Sequence, residues 1–126
     1  PVPSSAASDV YKRQSINSIR GVKNMLAYAT SKSAIVSFTA SLALDLSKHN
    51  IRVNAVAPGA IDTPMLASFK KDLTSKEYQK RMRDNHPIGR IGKPEEVASV
   101  IYFLASEASS FMTGLTIPVD GGRSIR

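Results

Sequence analysis

The sequence contains no cysteine among its 126 residues. This absence excludes disulfides and thiolate metal sites, and it fits a reducing compartment. No apolar run approaches the ~20 residues that a membrane-spanning helix needs, and the first residues lack the apolar core of a secretion signal. We therefore expect a cytoplasmic protein that does not span a membrane, and we predict no metal site.

Charge is the next constraint, because lysine and arginine outnumber acidic residues and leave a net charge of +7. Much of the excess lies in the polar segment 70–93. This segment has no zinc-finger spacing, helix-turn-helix signature or aromatic-rich RNA-binding strand, so we predict no nucleic-acid partner. Attraction of an anionic cofactor or substrate, or simple solubility, explains the basic segment better.

The first fourteen residues differ from the rest of the chain. Residues 1–14 show no helical or strand period and connect to no later pattern. We expect a disordered leader or an artefactual one, such as translated adaptor sequence, and we exclude it from the fold. The fold is expected over residues 15–126, where residues 15–19 predict a short strand and Gly21 opens a loop.

Tyr28 and Lys32 stand out on the helix predicted over residues 26–48. Residues four apart lie on the same face of a helix, so the Lys32 ammonium can approach the Tyr28 hydroxyl. A cation at that place favours the phenolate, which makes Tyr28 a candidate acid or base. The alternative is an ordinary exposed pair on a helix surface.

The helix also carries an apolar stripe, and a buried strand follows it. The stripe consists of Ile35, Phe38, Leu42 and Leu46. Residues 51–57 alternate as a strand with apolar residues on both faces, which predicts a sheet covered by helices. A helix and then a buried strand form the second half of a β-α-β unit, whose ligands bind at the carboxyl ends of the strands. Residues 58–65 lie at such an end.

Residues 64–91, here called the substrate loop, form a polar insertion between that strand and the next helix. Thr74 and Glu77 have capping-box spacing, so we expect a short helix from Ser75 to about Asp84. An insertion of this length is more often a substrate-covering lid than a plain connection.

The last part of the chain predicts one more helix and one more strand. Pro94 suits the first helical position, and the apolar stripe that follows consists of Val97, Val100, Ile101 and Leu104. Residues 115–119 predict a strand at or near a sheet edge, because Pro118 cannot donate to a ladder. The turn 120–122 ends it.

Four motifs occur together in an order and spacing that resemble one family. They are the run 28–32, the run 51–59 with Thr63-Pro64, the run 89–98, and Thr113-Gly114 with the run 119–122. Over about residues 15–126 they closely resemble the C-terminal half of the short-chain dehydrogenase/reductases. The resemblance implies an α/β fold, the C-terminal portion of a doubly wound Rossmann-like parallel sheet, with the N-terminal half missing.

The resemblance also implies roles for particular residues. Tyr28 would be the general acid/base, Lys32 would make its proton easier to lose and bind the nicotinamide ribose, and Ser18 would polarise the substrate oxygen. The segment between Ser18 and Tyr28 is shorter than in the family. The segment expected to lie along the nicotinamide includes Pro58, Gly59, Ile61 and Thr63.

The implied activity is hydride transfer between NAD or NADP and an alcohol or carbonyl substrate, of sugar or 3-oxoacyl type. The glycine-rich turn and the residue that chooses between the two cofactors belong to the missing half. We therefore expect this chain alone to turn nothing over. The family also implies a homodimer or homotetramer. The alternative is an interaction module without catalysis.

Overall fold

The computed structural model describes residues 26–68 and 74–125. Predictions for the leader, for the strand 15–19 and for Ser18 lie outside the described residues. In chain order the elements are α1 (Leu26–Ser47), β1 (Ala55–Pro58), α2 (Pro64–Ser68), α3 (Ser75–Asn85), α4 (Pro94–Ala105) and β2 (Thr116–Val119). Short 3-10 turns cover Glu107–Ser109 and Arg123–Ile125.

The two described strands pair in parallel, with Ala55 opposite Thr116 and Pro58 opposite Val119. Parallel neighbours need a crossover connection, and the connection here contains the substrate loop and α4. The carboxyl ends of β1 and β2 therefore lie side by side, as the predicted Rossmann-like sheet requires. The predicted α/β class is confirmed. Pro118 lies in β2, which has β1 as its neighbour in the described sheet.

The strand predicted over residues 51–57 begins later than expected, at Ala55. Before that point, one backbone bond joins the segments, from the Gly114 amide to the Val53 carbonyl at 2.6 Å, and side chains supply further hydrogen bonds. The Val53 amide donates to the Thr113 hydroxyl at 3.0 Å, and the Asn54 side chain donates to the Met112 carbonyl and accepts from the Leu115 amide. Val53 is nevertheless buried, as predicted for the apolar residues of this segment, and Asn54 is buried beside it.

The helix α1 ends at Ser47, one residue before the predicted boundary, and Asn50 takes the left-handed conformation with φ of 58°. Its buried residues are Thr39 and Ala43, whereas Phe38 of the predicted stripe is 49% exposed. Small side chains are buried here because α1 lies close to Gly114. A Cβ added at Gly114 would lie 3.5 Å from the Cβ of Ala43. The Thr39 hydroxyl is satisfied by the Ile35 carbonyl at 2.7 Å.

The core lies between the sheet and α4. Val56 of β1 packs with Val97 and Leu104, two buried residues of the stripe predicted for α4. Partly buried neighbours complete the cluster: Ile61, Val100, Ile101, Met112, Ile117 and Val119. Pro94 occupies the first turn and Glu96 caps the helix start, so the predicted beginning of α4 is confirmed.

The substrate loop contains α2 and α3 in its described parts. Thr74 and Glu77 form the predicted capping box, because each side chain bonds the backbone amide of the other residue. The helix α3 then runs to Asn85, and His86 caps it. The loop is thus partly helical and returns its end to the carboxyl edge of the sheet.

Candidate active site

The Tyr28 and Lys32 side chains lie on one side of α1. The Lys32 ammonium is 5.4 Å from the centroid of the Tyr28 ring, a distance at which a cation is attracted to the face of an aromatic ring. Tyr28 is 40% exposed, so a substrate can reach it from solvent. The four-residue spacing therefore brings together the two groups that the sequence singled out.

The residues that follow β1, here called the β1 turn (58–63), lie at the carboxyl end of the sheet. The Gly59 amide donates to the Val119 carbonyl at 3.0 Å and continues the ladder by one bond. A Cβ on Gly59 would lie 2.9 Å from the Asp120 Cα. Glycine is required here because the backbone of Asp120 fills the space that a side chain would occupy.

Ile61 makes an isolated parallel bridge with Gly92. The Asp62 amide donates to the Gly92 carbonyl, and the Gly92 amide donates to the Ala60 carbonyl, both at 2.9 Å. In this parallel pattern the amide and carbonyl of Ile61 itself face the other way. The Ile61 backbone is thus directed away from Gly92, with one donor and one acceptor for another group.

Thr63 ends the β1 turn and caps α2, which begins at Pro64. Its hydroxyl accepts from the Leu66 amide at 3.4 Å, and its carbonyl accepts from the Ala67 amide at 3.1 Å. A capping hydroxyl of this kind still has its own proton to donate. Thr63 can therefore donate a hydrogen bond to a ligand beside the turn.

His86 is a residue of this region that the sequence did not single out. It is 2% exposed, and its Nε2 lies 3.1 Å from the backbone nitrogen of Ala60. Its Nδ1 lies 2.7 Å from the Met82 carbonyl. No local pattern reveals it, because a single histidine before Pro87 in a polar segment resembles a surface residue.

A cleft of about 380 Å³ opens beside these residues. Its walls come from Ala60 and Ile61, from the segment 86–92 and from the turn after β2. The Asp120 carboxylate shapes that turn by accepting from the Gly122 and Ser124 amides at 3.0 and 2.8 Å. The carboxyl ends of both strands therefore border one concave surface.

Arg90 and Glu96 form the ion pair at the rim of this cleft. The guanidinium donates twice to the carboxylate, at 2.9 and 2.6 Å. Hydrogen bonds from Arg90 and from the Lys93 amide lower the Glu96 pKa to about 2, and the same pairing raises the Arg90 pKa. The pair ties the end of the substrate loop to the first turn of α4.

Two classes of feature are not found in the described parts of the chain. No group of three His, Asp or Glu side chains in residues 26–68 and 74–125 could hold a metal ion. Within the same ranges, no helix has both the length and the apolar character needed to cross a bilayer.

The parallel strands with α4 packed against them, and the cleft at their carboxyl ends, are typical of a Rossmann-like α/β fold. A family model described as enoyl-(acyl carrier protein) reductase matches residues 5–124. A solved short-chain dehydrogenase family protein from Francisella tularensis superposes with a TM-score of 0.84 at 39% identity, over 90% of this chain and 50% of that one. The chain belongs to the short-chain dehydrogenase/reductase family.

Curated relatives in this family are named for different substrates. The 3-oxoacyl-[acyl-carrier-protein] reductase FabG of Thermotoga maritima is 46% identical over 108 residues, which are 86% of this chain and 42% of the relative. A glucose and ribitol dehydrogenase homolog of Oryza sativa is 44% identical over 90% of this chain and 36% of the relative. The chain thus spans about two fifths of the length of these relatives.

The family uses a nicotinamide dinucleotide, and its solved members include both forms. A 4-hydroxyisoleucine dehydrogenase complexed with NADH superposes with a TM-score of 0.85 at 28% identity, over 92% of this chain and 46% of that one. An actinorhodin polyketide ketoreductase with NADPH superposes with a TM-score of 0.83 at 30% identity, over 97% of this chain and 51% of that one. The outward-facing Ile61 backbone and the Thr63 hydroxyl fit the carboxamide of a nicotinamide, because that group can pair with both a donor and an acceptor.

Proposed function

We propose that this chain is the catalytic, C-terminal part of an NAD- or NADP-dependent oxidoreductase acting on an alcohol or carbonyl substrate. The observation that carries the proposal is the Tyr28–Lys32 pair on one side of α1, with the ammonium 5.4 Å from the ring centroid. The β1 turn would lie along the nicotinamide through Pro58, Gly59, Ile61 and Thr63. The bound cofactor supplies or accepts the hydride.

The chain's own residues handle the proton. In the direction of reduction, the Tyr28 hydroxyl donates its proton to the substrate oxygen while that atom gains negative charge, and the product is the alcohol. The Lys32 ammonium stabilises the phenolate that remains and binds the ribose. Ser18, which lies outside the described residues, would donate a hydrogen bond to the same oxygen. Oxidation runs these steps in reverse.

Substrate selection is assigned to the substrate loop. Its position beside the cleft, with α3 returning to the strand end through His86, fits a cover over a ligand bound at the strand ends. The relatives act on 3-oxoacyl groups or bear sugar dehydrogenase names, so small carbonyl and alcohol compounds of these two types are the first to test. We also propose a homodimer or homotetramer for the complete enzyme, located in the cytoplasm.

The chain by itself is proposed to be inactive. Its described residues include neither a glycine-rich phosphate-binding turn nor the acidic or basic residue that selects NAD or NADP. Purified chain mixed with NADH or NADPH and a panel of ketones should show no turnover. Turnover that Tyr28→Phe abolishes would refute this part of the proposal.

The activity itself can be tested in a chimaera, in which residues 15–126 replace the matching segment of the Thermotoga maritima reductase. The proton donor contributes about 10²–10⁴-fold in such reactions. We therefore expect Tyr28→Phe to lower kcat by roughly a thousandfold. The matched control is Tyr102→Phe, which removes the same hydroxyl from a tyrosine on α4 that is 79% exposed and should leave kcat unchanged.

The outcomes separate the proposal from its alternative. A folded chimaera that binds NADPH and keeps full kcat after Tyr28→Phe would refute the role of Tyr28. A chimaera that binds NADPH and forms oligomers, yet reduces no ketone or aldehyde, would favour the non-catalytic interaction module.

A further inference from the structure

We propose that His86 is a positioning residue that links the substrate loop to the β1 turn and thereby preorganises the turn for the nicotinamide. The inference rests on the proposed function and adds a residue and a coupling that the function does not require. It starts from a buried titratable side chain that takes no part in the chemistry of the Tyr28–Lys32 pair.

The contact joins two parts of the chain that are 26 residues apart. His86 follows α3 directly as its C-cap, and its own amide donates to the Arg83 carbonyl. Its ring then reaches the backbone of Ala60, inside the β1 turn. Both residues are buried, so the hydrogen bond between them is shielded from water.

The two ring contacts determine which nitrogen carries the proton. A carbonyl only accepts hydrogen bonds, so Nδ1, 2.7 Å from the Met82 carbonyl, must donate. The Ala60 amide only donates, so Nε2, 3.1 Å away, must accept. Only the neutral ring with its proton on Nδ1 satisfies both contacts. The β1 turn therefore provides the donor, the Ala60 amide, and the substrate loop provides the acceptor, Nε2 of His86.

The β1 turn is held by hydrogen bonds at Gly59, Ala60 and Asp62. Gly59 is held by Val119 of β2, and Asp62 is held by Gly92 just before α4. Those two anchors belong to the sheet and its edge. At Ala60, the carbonyl accepts from Gly92, whereas the amide is held by His86 of the substrate loop. Ala60 precedes Ile61, whose outward-facing backbone is proposed to hold the carboxamide.

Loss of the hydrogen bond between His86 and Ala60 should affect binding of the cofactor. If the Ala60 amide loses its acceptor, a buried donor is left unsatisfied unless the turn moves. Movement of the turn displaces the neighbouring Ile61 backbone. Loss of the His86 contact should therefore weaken cofactor binding, while the proton donor on α1 is left in place.

Two substitutions at His86 separate the two hydrogen bonds of its ring. In His86→Gln, the side-chain oxygen extends about as far as Nε2 and can still accept from Ala60. In His86→Asn, the amide lies near the position of Nδ1 and can still donate to Met82, but it is too short to reach Ala60. The same change at the second histidine, His49→Asn, is the control, because His49 is exposed beyond the end of α1.

The measurement is the Kd for NADPH and NADH, by fluorescence titration of the chimaera, together with KM and kcat. An unsatisfied buried amide corresponds to roughly a tenfold change in affinity. We expect His86→Asn to raise Kd and KM for the cofactor about tenfold with kcat within about threefold. His86→Gln should recover most of the affinity, and His49→Asn should match the unsubstituted chimaera.

A second readout needs no cofactor and uses the 126-residue chain itself. Amide hydrogen exchange at Ala60, followed by nuclear magnetic resonance, should be slow in the chain and in His86→Gln. It should be faster in His86→Asn. The nitrogen shifts of His86 should show a protonated Nδ1 and an unprotonated Nε2.

The proposal is overturned if folded His86→Asn keeps its cofactor Kd, or if Asn and Gln weaken binding equally. Unchanged exchange at Ala60 in His86→Asn would overturn it as well. Failure of the proposed function gives a different result: Tyr28→Phe would leave kcat unchanged, whereas the Kd measurement needs no turnover and still tests His86.

Discussion

The two regions that the proposed site combines are built in different ways. The Tyr28–Lys32 pair lies on α1, a helix of 22 residues of which only Thr39 and Ala43 are buried in the described structure. The β1 turn lies between the ends of two strands, with Val53, Ala55, Val56 and Ala57 fully buried just before it. The Tyr28–Lys32 pair is positioned by contacts within a helix, and the β1 turn by contacts between distant parts of the chain.

This difference indicates where the site is robust. The relative position of Tyr28 and Lys32 depends on one helical turn and is insensitive to the rest of the fold. The β1 turn depends on β2, on the segment before α4 and on the substrate loop at once. Damage to the core should therefore affect the turn before it affects the helical pair.

The largest effect that distinguishes the two regions is expected from core truncation. Leu104 is 1% exposed, whereas Leu44 on α1 is 77% exposed. Leu104→Ala should lower the free energy of unfolding by ~2–5 kcal/mol, and Leu44→Ala should change it by less than about 0.5 kcal/mol. Urea denaturation of the two variants, followed by circular dichroism, measures both. Equal losses would show that α1 is packed as tightly as α4 and would remove the contrast.

A smaller effect is expected at the strand end. In Gly59→Ala the new methyl group meets the backbone of Asp120 at 2.9 Å, which cannot move aside without disturbing β2. We expect a loss of ~1–3 kcal/mol in the free energy of unfolding. In the control Gly92→Ala, the close contact is with Cδ1 of Ile61 at 2.7 Å, the far end of a flexible side chain, and the Ala60 and Glu96 oxygens lie at 3.7 Å.

Urea denaturation should therefore rank Gly59→Ala as the more destabilising of these two variants. A Gly92→Ala variant that is as unstable as Gly59→Ala would contradict the close strand-end contact. It would place the strain in the loop before α4 instead.

The smallest effect concerns the ion pair at the rim. The Glu96 pKa of about 2 lies below its ordinary value of 4.5, so the charged form is favoured in the folded state. Its stabilising contribution is complete above about pH 4.5 and disappears as the pH falls through about 2. The difference in urea midpoint between the chain and Glu96→Gln should follow this profile.

Glu95→Gln serves as the control, because it removes the same charge one residue earlier without breaking the Arg90 pair. Its midpoint should differ less from that of the unsubstituted chain at neutral pH. A Glu96→Gln difference that persists unchanged at pH 2 would assign the effect to something other than the carboxylate charge.

Much of the local architecture was predictable. The helices α1, α3 and α4 begin or end within one residue of their expected boundaries, because caps such as Thr74, Asn50 and Pro94 act on their immediate neighbours. The candidate pair on α1 follows from spacing alone. The substrate loop was recognisable as an insertion, and its capping box was visible in the sequence.

The burial pattern and the strand boundaries were less predictable. Phe38 was expected in the stripe of α1, yet Thr39 and Ala43 are the buried residues, since the nearest backbone leaves space only for small side chains. The ladder starts at Ala55 because the Thr113 and Asn54 side chains make most of the hydrogen bonds before it. These outcomes depend on groups about sixty residues away.

Helical periodicity, caps and turn residues were enough to establish the elements and the tyrosine–lysine pair, because each acts over a few neighbouring residues. Folding in three dimensions was needed to bring His86 to Ala60 and Asp120 to Gly59. Contacts of that kind leave no trace in local spacing, because they join segments that are far apart in the sequence and form only when the chain folds.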